Sequence, residues 1–283
     1  MNLEKIFKGG ALLFDGGMGT MLQRRGLPAG QASDMMNLTH PEVVTGVHRE
    51  YVQAGAQVIS TNTFQAHSVN AEDASVEDVV QAGVDCARTA GAEFIALSVG
   101  PLGKILEPCG DFPFERARQL FLRHILAGKA AGADCILIET MYDLSEVRAA
   151  VLAAKEGAAL PIICTMTFQE NGRSLMGCSP NEAVSALQEL GVDALGVNCS
   201  AGPDQILPVI EIMLGCSKLP LLAQPNAGLP VIRDGVAVYG LSPEQFAEKM
   251  AHMANLGVAM LGGCCGTTPE HIRALAERLV NTA

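Results

Sequence analysis

Along the chain, apolar positions gather into eight short continuous runs, separated by longer stretches in which they recur every three or four residues. Five runs share one punctuation: a helical pattern reaches a small residue or leucine followed by glycine, and an apolar run begins. The copies are Ala54-Gly55-Ala56-Gln57-Val58-Ile59, Ala90-Gly91-Ala92-Glu93-Phe94-Ile95, Ala131-Gly132-Ala133-Asp134-Cys135-Ile136, Leu190-Gly191-Val192-Asp193-Ala194-Leu195 and Leu256-Gly257-Val258-Ala259-Met260-Leu261. Each predicts a helix, a glycine stop and a buried strand. Three further runs, 11–14, 161–166 and 219–223, bring the strands to eight. The intervening periodicity predicts helices over about 41–54, 76–90, 114–131, 143–156, 180–190, 203–214, 242–256 and 268–280. Strands that read as unbroken apolar runs are covered on both faces, as in a parallel sheet flanked by helices.

Eight alternating βα units within 283 residues predict one domain, 1–283, folded as a single (β/α)8 TIM barrel of the α/β class, with a doubly wound open sheet as the alternative. The barrel gains support from where the unusual residues fall. Asp15-Gly16-Gly17-Met18-Gly19-Thr20, Thr61-Asn62-Thr63-Phe64, Glu139-Thr140, Asn198-Cys199-Ser200, Gln224-Pro225-Asn226-Ala227-Gly228 and Gly262-Gly263-Cys264-Cys265-Gly266 all follow predicted strands. In such a barrel that is the catalytic face. No Pro-, Ser- or charge-rich linker breaks the series.

Composition narrows the function. A formal net charge of -11 offers no basic stripe for a phosphate backbone, so nucleic acid is not an expected partner. The first ten residues place an acid among their early charges and lead into a short apolar run, which predicts neither signal peptide nor membrane span and so a cytoplasmic protein. Nine cysteines, an odd number without a secretory signal, point to free thiols or metal ligands and away from a disulfide framework. Cys86, Cys135 and Cys164 sit inside helical or strand patterns and read as packing, and Cys109, Cys178 and Cys216 as bystanders in or near loops. The six histidines do not gather at strand ends and are not expected as ligands; His271, in the first turn of the last helix, is expected at the surface. Asp15-Gly16-Gly17-Met18-Gly19-Thr20 does not fit GxGxxG, and no GK[ST] loop is present, so nucleotide binding is not supported.

Cys199 ends strand six, and Cys264 and Cys265 end strand eight, so three sulfurs can meet at one mouth of the barrel. Three protein ligands with an open fourth position match a catalytic Zn²⁺ site, and zinc favours thiolates. Adjacent residues of a regular strand point to opposite faces, so two consecutive ligands need a departure from strand geometry, which Gly263 and Gly266 mark. Plain packing and a vicinal redox disulfide are the rival readings.

Taken together, DGGMGT, TNTF, GP, ET, GRSLMG, GVNCS, QPNAG and GGCCGTTPEHI, in that order, resemble the homocysteine S-methyltransferase family, on the side represented by the homocysteine-binding module of cobalamin-dependent methionine synthase. The resemblance implies a zinc enzyme in which Cys199, Cys264 and Cys265 hold one Zn²⁺ and the homocysteine thiol completes the tetrahedron. Three thiolates leave the site net negative and the substrate sulfur electron-rich, and a metal-bound thiol is deprotonated outright. By the same resemblance Asp15 and Glu139 hold the ammonium end of homocysteine. Backbone N–H groups of Gly16 and Gly17 and the Thr61 hydroxyl are candidates for the carboxylate end. Asp15 also reads as a turn residue before Gly-Gly, whereas Glu139, ending an apolar run, would be costly to bury unpaired. Asn226 resembles the family position whose side-chain oxygen occupies the zinc when substrate is absent, and equally reads as a turn asparagine.

The family reading implies methionine as product and a methyl-corrinoid, methyl-cobalamin on a separate protein or domain, as donor. A small donor such as betaine, S-methylmethionine or a methylated amine is the second reading, and a thiol-binding module of a larger methionine synthase, without chemistry of its own, is the third. Gln65, where betaine users carry an aromatic residue, and the absence of Trp disfavour betaine.

Overall fold

The computed structural model describes residues 11–280 apart from 29, 70, 71, 73, 234 and 235, so the N-terminal segment read above lies outside the described residues. Eight parallel strands make one sheet: β1 (Leu12–Leu13), β2 (Val58–Ser60), β3 (Phe94–Val99), β4 (Cys135–Met141), β5 (Ile162–Met166), β6 (Ala194–Asn198), β7 (Leu221–Gln224) and, as its last member, β10 (Met260–Leu261). Their spatial order, β1-β10-β7-β6-β5-β4-β3-β2, is the chain order wound once round. A parallel bridge from Phe14 to Val58 and the Gln57 N–H donating to Leu13 O at 2.8 Å join the two ends. The result is a (β/α)8 barrel.

Between strands run α1 (Met18–Arg24), α2 (Met36–Thr39), α3 (Pro41–Gln53), α4 (Val76–Thr89), α5 (Phe114–Ala131), α6 (Leu144–Gly157), α7 (Pro180–Leu190), α8 (Pro203–Cys216), α9 (Pro243–Asn255) and α10 (Pro269–Val280). Local sequence sets their ends. Ser179 and Glu182 form a capping box at the start of α7, and Ser242 and Gln245 do the same for α9. Gly132 and Gly191 close α5 and α7 in the left-handed conformation.

Strand alternation divides the core. Leu12, Phe14, Val58, Ala96, Cys135, Leu137, Ile163, Ala194, Leu222 and Met260 form one buried cluster on the inner face of the sheet, while Leu97, Ile136, Ile138, Leu195 and Val197 join a second cluster with the helices. Period two then carries the inner face, two residues past Ala96, Leu137 and Leu222, to the polar residues Ser98, Glu139 and Gln224 at the strands' C-terminal ends. Thr165 and Asn198 take equivalent places on β5 and β6.

Two elements are not among those read from the sequence. The stretch after Asp15-Gly16-Gly17 forms α1, which buries Met21 and Leu22. Between β7 and α9 an antiparallel hairpin rises from the mouth, β8 (Pro230–Arg233) paired with β9 (Val236–Tyr239). His271 is also corrected: it is buried, its Nδ1 accepting from the Thr268 N–H at 3.2 Å and its Nε2 facing Leu241 O at 3.0 Å, so it binds the last helix to the foot of the hairpin.

Candidate metal centre

Strands six and eight are not neighbours, and the end of strand seven lies between them. The Cys199 N–H donates to Gln224 O at 3.0 Å, the Cys264 N–H to Pro225 O at 2.8 Å, and the Ala227 N–H to Cys265 O at 3.0 Å. The Gln224-Pro225-Asn226-Ala227 segment thus grips both thiol-bearing segments by their backbones. Cys199 adopts φ 58° and Ser200 φ 62°, left-handed values that cost a non-glycine residue on the order of 1–2 kcal/mol each. Gly266, at φ 80°, supplies the departure that two consecutive ligands need.

The sulfurs of Cys199, Cys264 and Cys265 all lie within 4.8 Å of one another, and no other such group of ligating side chains occurs among the described residues. A tetrahedral zinc with Zn–S near 2.3 Å sets sulfurs about 3.8 Å apart, so this donor set fits that ion with little movement. All three thiols are free. Packed together without a cation, they cannot share charge equally. Contacts with Cys199 and Cys264 hold Cys265 well below the ordinary thiol range, and contacts with Cys199 and Cys265, then burial, push Cys264 well above it.

The sulfurs border a cavity of about 330 Å³ whose other walls include Asp15, Gly16, Gly17, Thr61 and Glu139. Asp15 accepts from both the N–H and the hydroxyl of Ser60 at 2.9 Å, yet burial raises it to about 8, with Glu139 adding to the rise. Glu139 accepts from Ser98 Oγ at 2.5 Å and Asn198 Nδ2 at 3.1 Å, and burial raises it to about 7 against the Ser98 bond, with Cys265 adding to the rise. Buried Asp15 and half-buried Glu139, with no salt bridge to a basic side chain among the described residues, are matched to a ligand that brings positive charge.

Asn198 has no role in the reading from sequence, yet it fixes this wall. Its Oδ1 accepts from the Thr140 N–H and Thr165 Oγ1, both at 2.8 Å, while its Nδ2 donates to Glu139 and to Thr140 Oγ1 at 2.7 Å. The pairing of β4 with β5 shifts register between Ile138 and Met141, around Thr140 at φ 61°, an irregularity that re-aims the end of the strand. The period-two position of Asn198, past the inward Ala194, was the available signal.

Other candidates are more constrained than expected. The Gly17 N–H already donates to Thr267 Oγ1 at 3.0 Å. Thr63 donates to Ser98 O at 2.8 Å, so the 2.7 Å contact between the Thr61 and Thr63 hydroxyls takes the Thr61 proton. Thr61 also accepts from the Ser98 N–H at 3.1 Å, and can offer a ligand only a remaining lone pair. Gly16 is sterically required, because a Cβ there would come 2.6 Å from Thr267 Oγ1 and 2.9 Å from the Tyr51 ring. Asn226 is buried between the cysteine segments with its Oδ1 lacking any hydrogen-bond partner. Asn62 ties Ser33 and Asn37 together through its amide.

With this geometry in hand, the chain can be compared with known proteins. The family described as homocysteine S-methyltransferase matches residues 12–279. The chain belongs to this family. Methionine synthase of Mycobacterium tuberculosis is 34% identical over 293 residues, which cover 94% of this chain and 24% of that protein. The Mycobacterium leprae methionine synthase is likewise 34% identical, over 93% of this chain and 24% of its own length, so the chain spans about a quarter of these relatives. The metallated form of the homocysteine methyltransferase MmuM from Escherichia coli superposes with a TM-score of 0.82 at 26% identity, covering 97% of this chain and 98% of that one. Its oxidized form gives 0.83 at 25% identity, covering 98% and 100%. As a member of this family the chain is a homocysteine S-methyltransferase barrel, and no helix among the described residues is long and apolar enough to cross a membrane.

Proposed function

We propose that this chain is a zinc-dependent methyltransferase that converts homocysteine to methionine in the cytoplasm, with a methyl-corrinoid as donor. The observation that carries it is the placement of three free thiols in the lining of one cavity together with two acids, buried Asp15 and half-buried Glu139, whose carboxyls are both held toward the neutral form. Zinc held by Cys199, Cys264 and Cys265 would supply the cation that keeps the homocysteine thiol ionised at neutral pH, where a free thiol of pKa about 8.5 is mostly protonated. Asp15 and Glu139 take the ammonium end, and that charge in turn lets both acids ionise inside the cavity. Since the Gly17 N–H is engaged, the carboxylate end falls to the N–H groups of the next turn, Met18 to Thr20, which no side chain caps and which line the same cavity. Ser60, Ser98 and Asn198 fix the two carboxylates, so the sulfur is aimed before the donor arrives. Transfer then moves a methyl group onto the sulfur, and the electron pair of the broken bond leaves with the donor. Asn226, with its orphaned Oδ1 beside the cysteine segments, would help hold the zinc when substrate is absent.

Beside Ser200 lies a shallow groove of about 630 Å³ with Tyr142, Phe168, Leu175 and Leu229 in its walls. Leu175, Leu229, Val231 and Ile232 are exposed there and on the hairpin. An apolar rim suits the approach of a protein-borne donor better than that of a small hydrophilic cation. The test supplies zinc-loaded protein and homocysteine with methylcobalamin, S-methylmethionine or betaine, and measures methionine. Methionine from methylcobalamin is expected. Methionine from only the small donors would overturn the donor assignment, and none from any donor would leave a thiol-binding module.

A further inference from the structure

β1 and the last strand, β10, pair with each other and lead into the two halves of the site, Asp15 after one and Cys264 and Cys265 after the other. Their backbone ladder runs out just past the strands, where the Phe14 N–H donates to Leu261 O at 2.7 Å and the Gly263 N–H to Asp15 O at 2.9 Å. Beyond that point side chains take over the pairing.

Thr267, fully buried, donates its hydroxyl to Cys264 O at 2.6 Å and accepts from the Gly17 N–H at 3.0 Å. Thr20 mirrors it: its hydroxyl accepts from the Gly266 N–H at 3.2 Å and donates to Gly17 O at 3.2 Å. Each threonine thus gives its one proton to one segment and a lone pair to the other. Buried Tyr51, on α3, adds a bond to Thr267 O at 3.0 Å. The Thr267 N–H also reaches Cys264 O, at 3.1 Å, and closing that turn needs no more. The bond from Gly17, 250 positions away, has no part in the turn and joins it to the substrate side of the cavity. The fit is close: a Cβ on Gly17 would come 2.6 Å from Cys264 O, and one on Gly263 2.4 Å from Thr267 Oγ1.

We propose that Thr267, with Thr20 as its counterpart, is a positioning residue that sets the span between the amino-acid end of the site and its sulfur end. That span selects homocysteine, with two methylenes between Cα and sulfur, over cysteine, with one. The inference rests on the zinc and homocysteine reading above. Asp15 leads directly into the turn that Thr267 holds, and Cys264 carries the carbonyl that Thr267 holds, so one hydroxyl links the two anchors of one ligand. Cysteine bound by its sulfur falls a methylene short of Asp15, and a turn held in place does not follow it.

Thr267→Val keeps the shape of the side chain and removes the hydroxyl. Dissociation constants for homocysteine and for cysteine are measured by titration calorimetry on the zinc-loaded full chain, so no methyl donor enters the result. The preference for homocysteine over cysteine is expected to fall about tenfold in Thr267→Val. Thr267→Ser, which restores the hydroxyl, is expected to restore the preference. Thr20→Val should lower it in the same sense by a smaller factor, and it carries the test if thermal unfolding shows that Thr267→Val does not fold. A parent-like preference in Thr267→Val, or in Thr20→Val where the first does not fold, would overturn the proposal. So would equal weakening of both thiols, the mark of general loosening, or a Thr267→Ser preference as low as that of Thr267→Val. A parent chain that takes up zinc but binds neither thiol would instead defeat the homocysteine reading itself, and one that takes up no zinc would defeat the metal centre.

Discussion

Where helices hand over to strands, left-handed backbone falls on glycine: Gly132 at φ 87° and Gly191 at φ 68° end their helices with no side chain to strain. At the opposite mouth it falls on glycines such as Gly266 and also on three residues with side chains, Thr140, Cys199 and Ser200, at 61°, 58° and 62°. The first end is built as turns are built for stability. The second tolerates a cost of about 1–3 kcal/mol per residue, because Cys199 has to present sulfur and Thr140 has to receive the Asn198 amide. Titratable groups divide the same way. Cys135, on the inner face of β4, is pushed up to about 12 by burial first and then by Asp134, and has only packing to do, while the mouth gathers three thiols and two acids within one cavity.

The contrast is broken most directly by the same substitution at both places. Cys264→Ala should reduce bound zinc from about one per chain to a small fraction and methionine formation by on the order of a thousandfold or more. Cys135→Ala should keep the zinc and cost about 1 kcal/mol in urea unfolding. Comparable zinc loss in both variants would refute the division of labour.

Asp15 sharpens it next. Its value of about 8 and that of Glu139, about 7, lie above the ordinary 3.8 and 4.5, so the folded protein holds both neutral at pH values where the unfolded chain ionises them. The stability they allow is complete below about pH 4 and is lost as pH rises through 7 to 8. The thermal midpoint of the substrate-free protein should therefore fall between pH 5 and pH 8. Asp15→Asn should flatten that fall while raising the KM for homocysteine roughly tenfold or more through loss of the ammonium contact. A midpoint that rises over that range would contradict the neutral state of these acids.

The smallest effects test the backbone itself. Ser200→Gly removes a left-handed side chain at the mouth and its hydroxyl contact with Thr167, and should stabilise by up to about 1 kcal/mol. Gly91→Ala, at φ 91° with nothing within 4 Å of the added methyl, should destabilise by about 1–2 kcal/mol and leave methionine formation unchanged. Opposite signs in thermal unfolding are the expected result, and equal signs would remove the claim that strain is concentrated at the mouth.

What the sequence by itself determined follows from local chemistry. Continuous apolar runs, glycine stops and capping residues are short-range signals, so the eight strands, the eight long helices and the barrel were legible from them, as was the clustering of unusual residues after strands. Cys199, Cys264 and Cys265 were legible as a set because each ends a strand run. The tertiary structure alone decided how strand seven grips both cysteine segments, why Asn198 braces Glu139, and why the Gly17 N–H and the Thr61 proton are already engaged. These depend on hydrogen bonds between residues tens to hundreds of positions apart, including the Thr63 bond to Ser98 O that orients the neighbouring Thr61 hydroxyl, which no local pattern encodes. α1, the hairpin and buried His271 escaped for the same reason: glycine content and helix position speak for propensity, while packing against Tyr51, Thr267 and Leu241 is a property of the closed barrel.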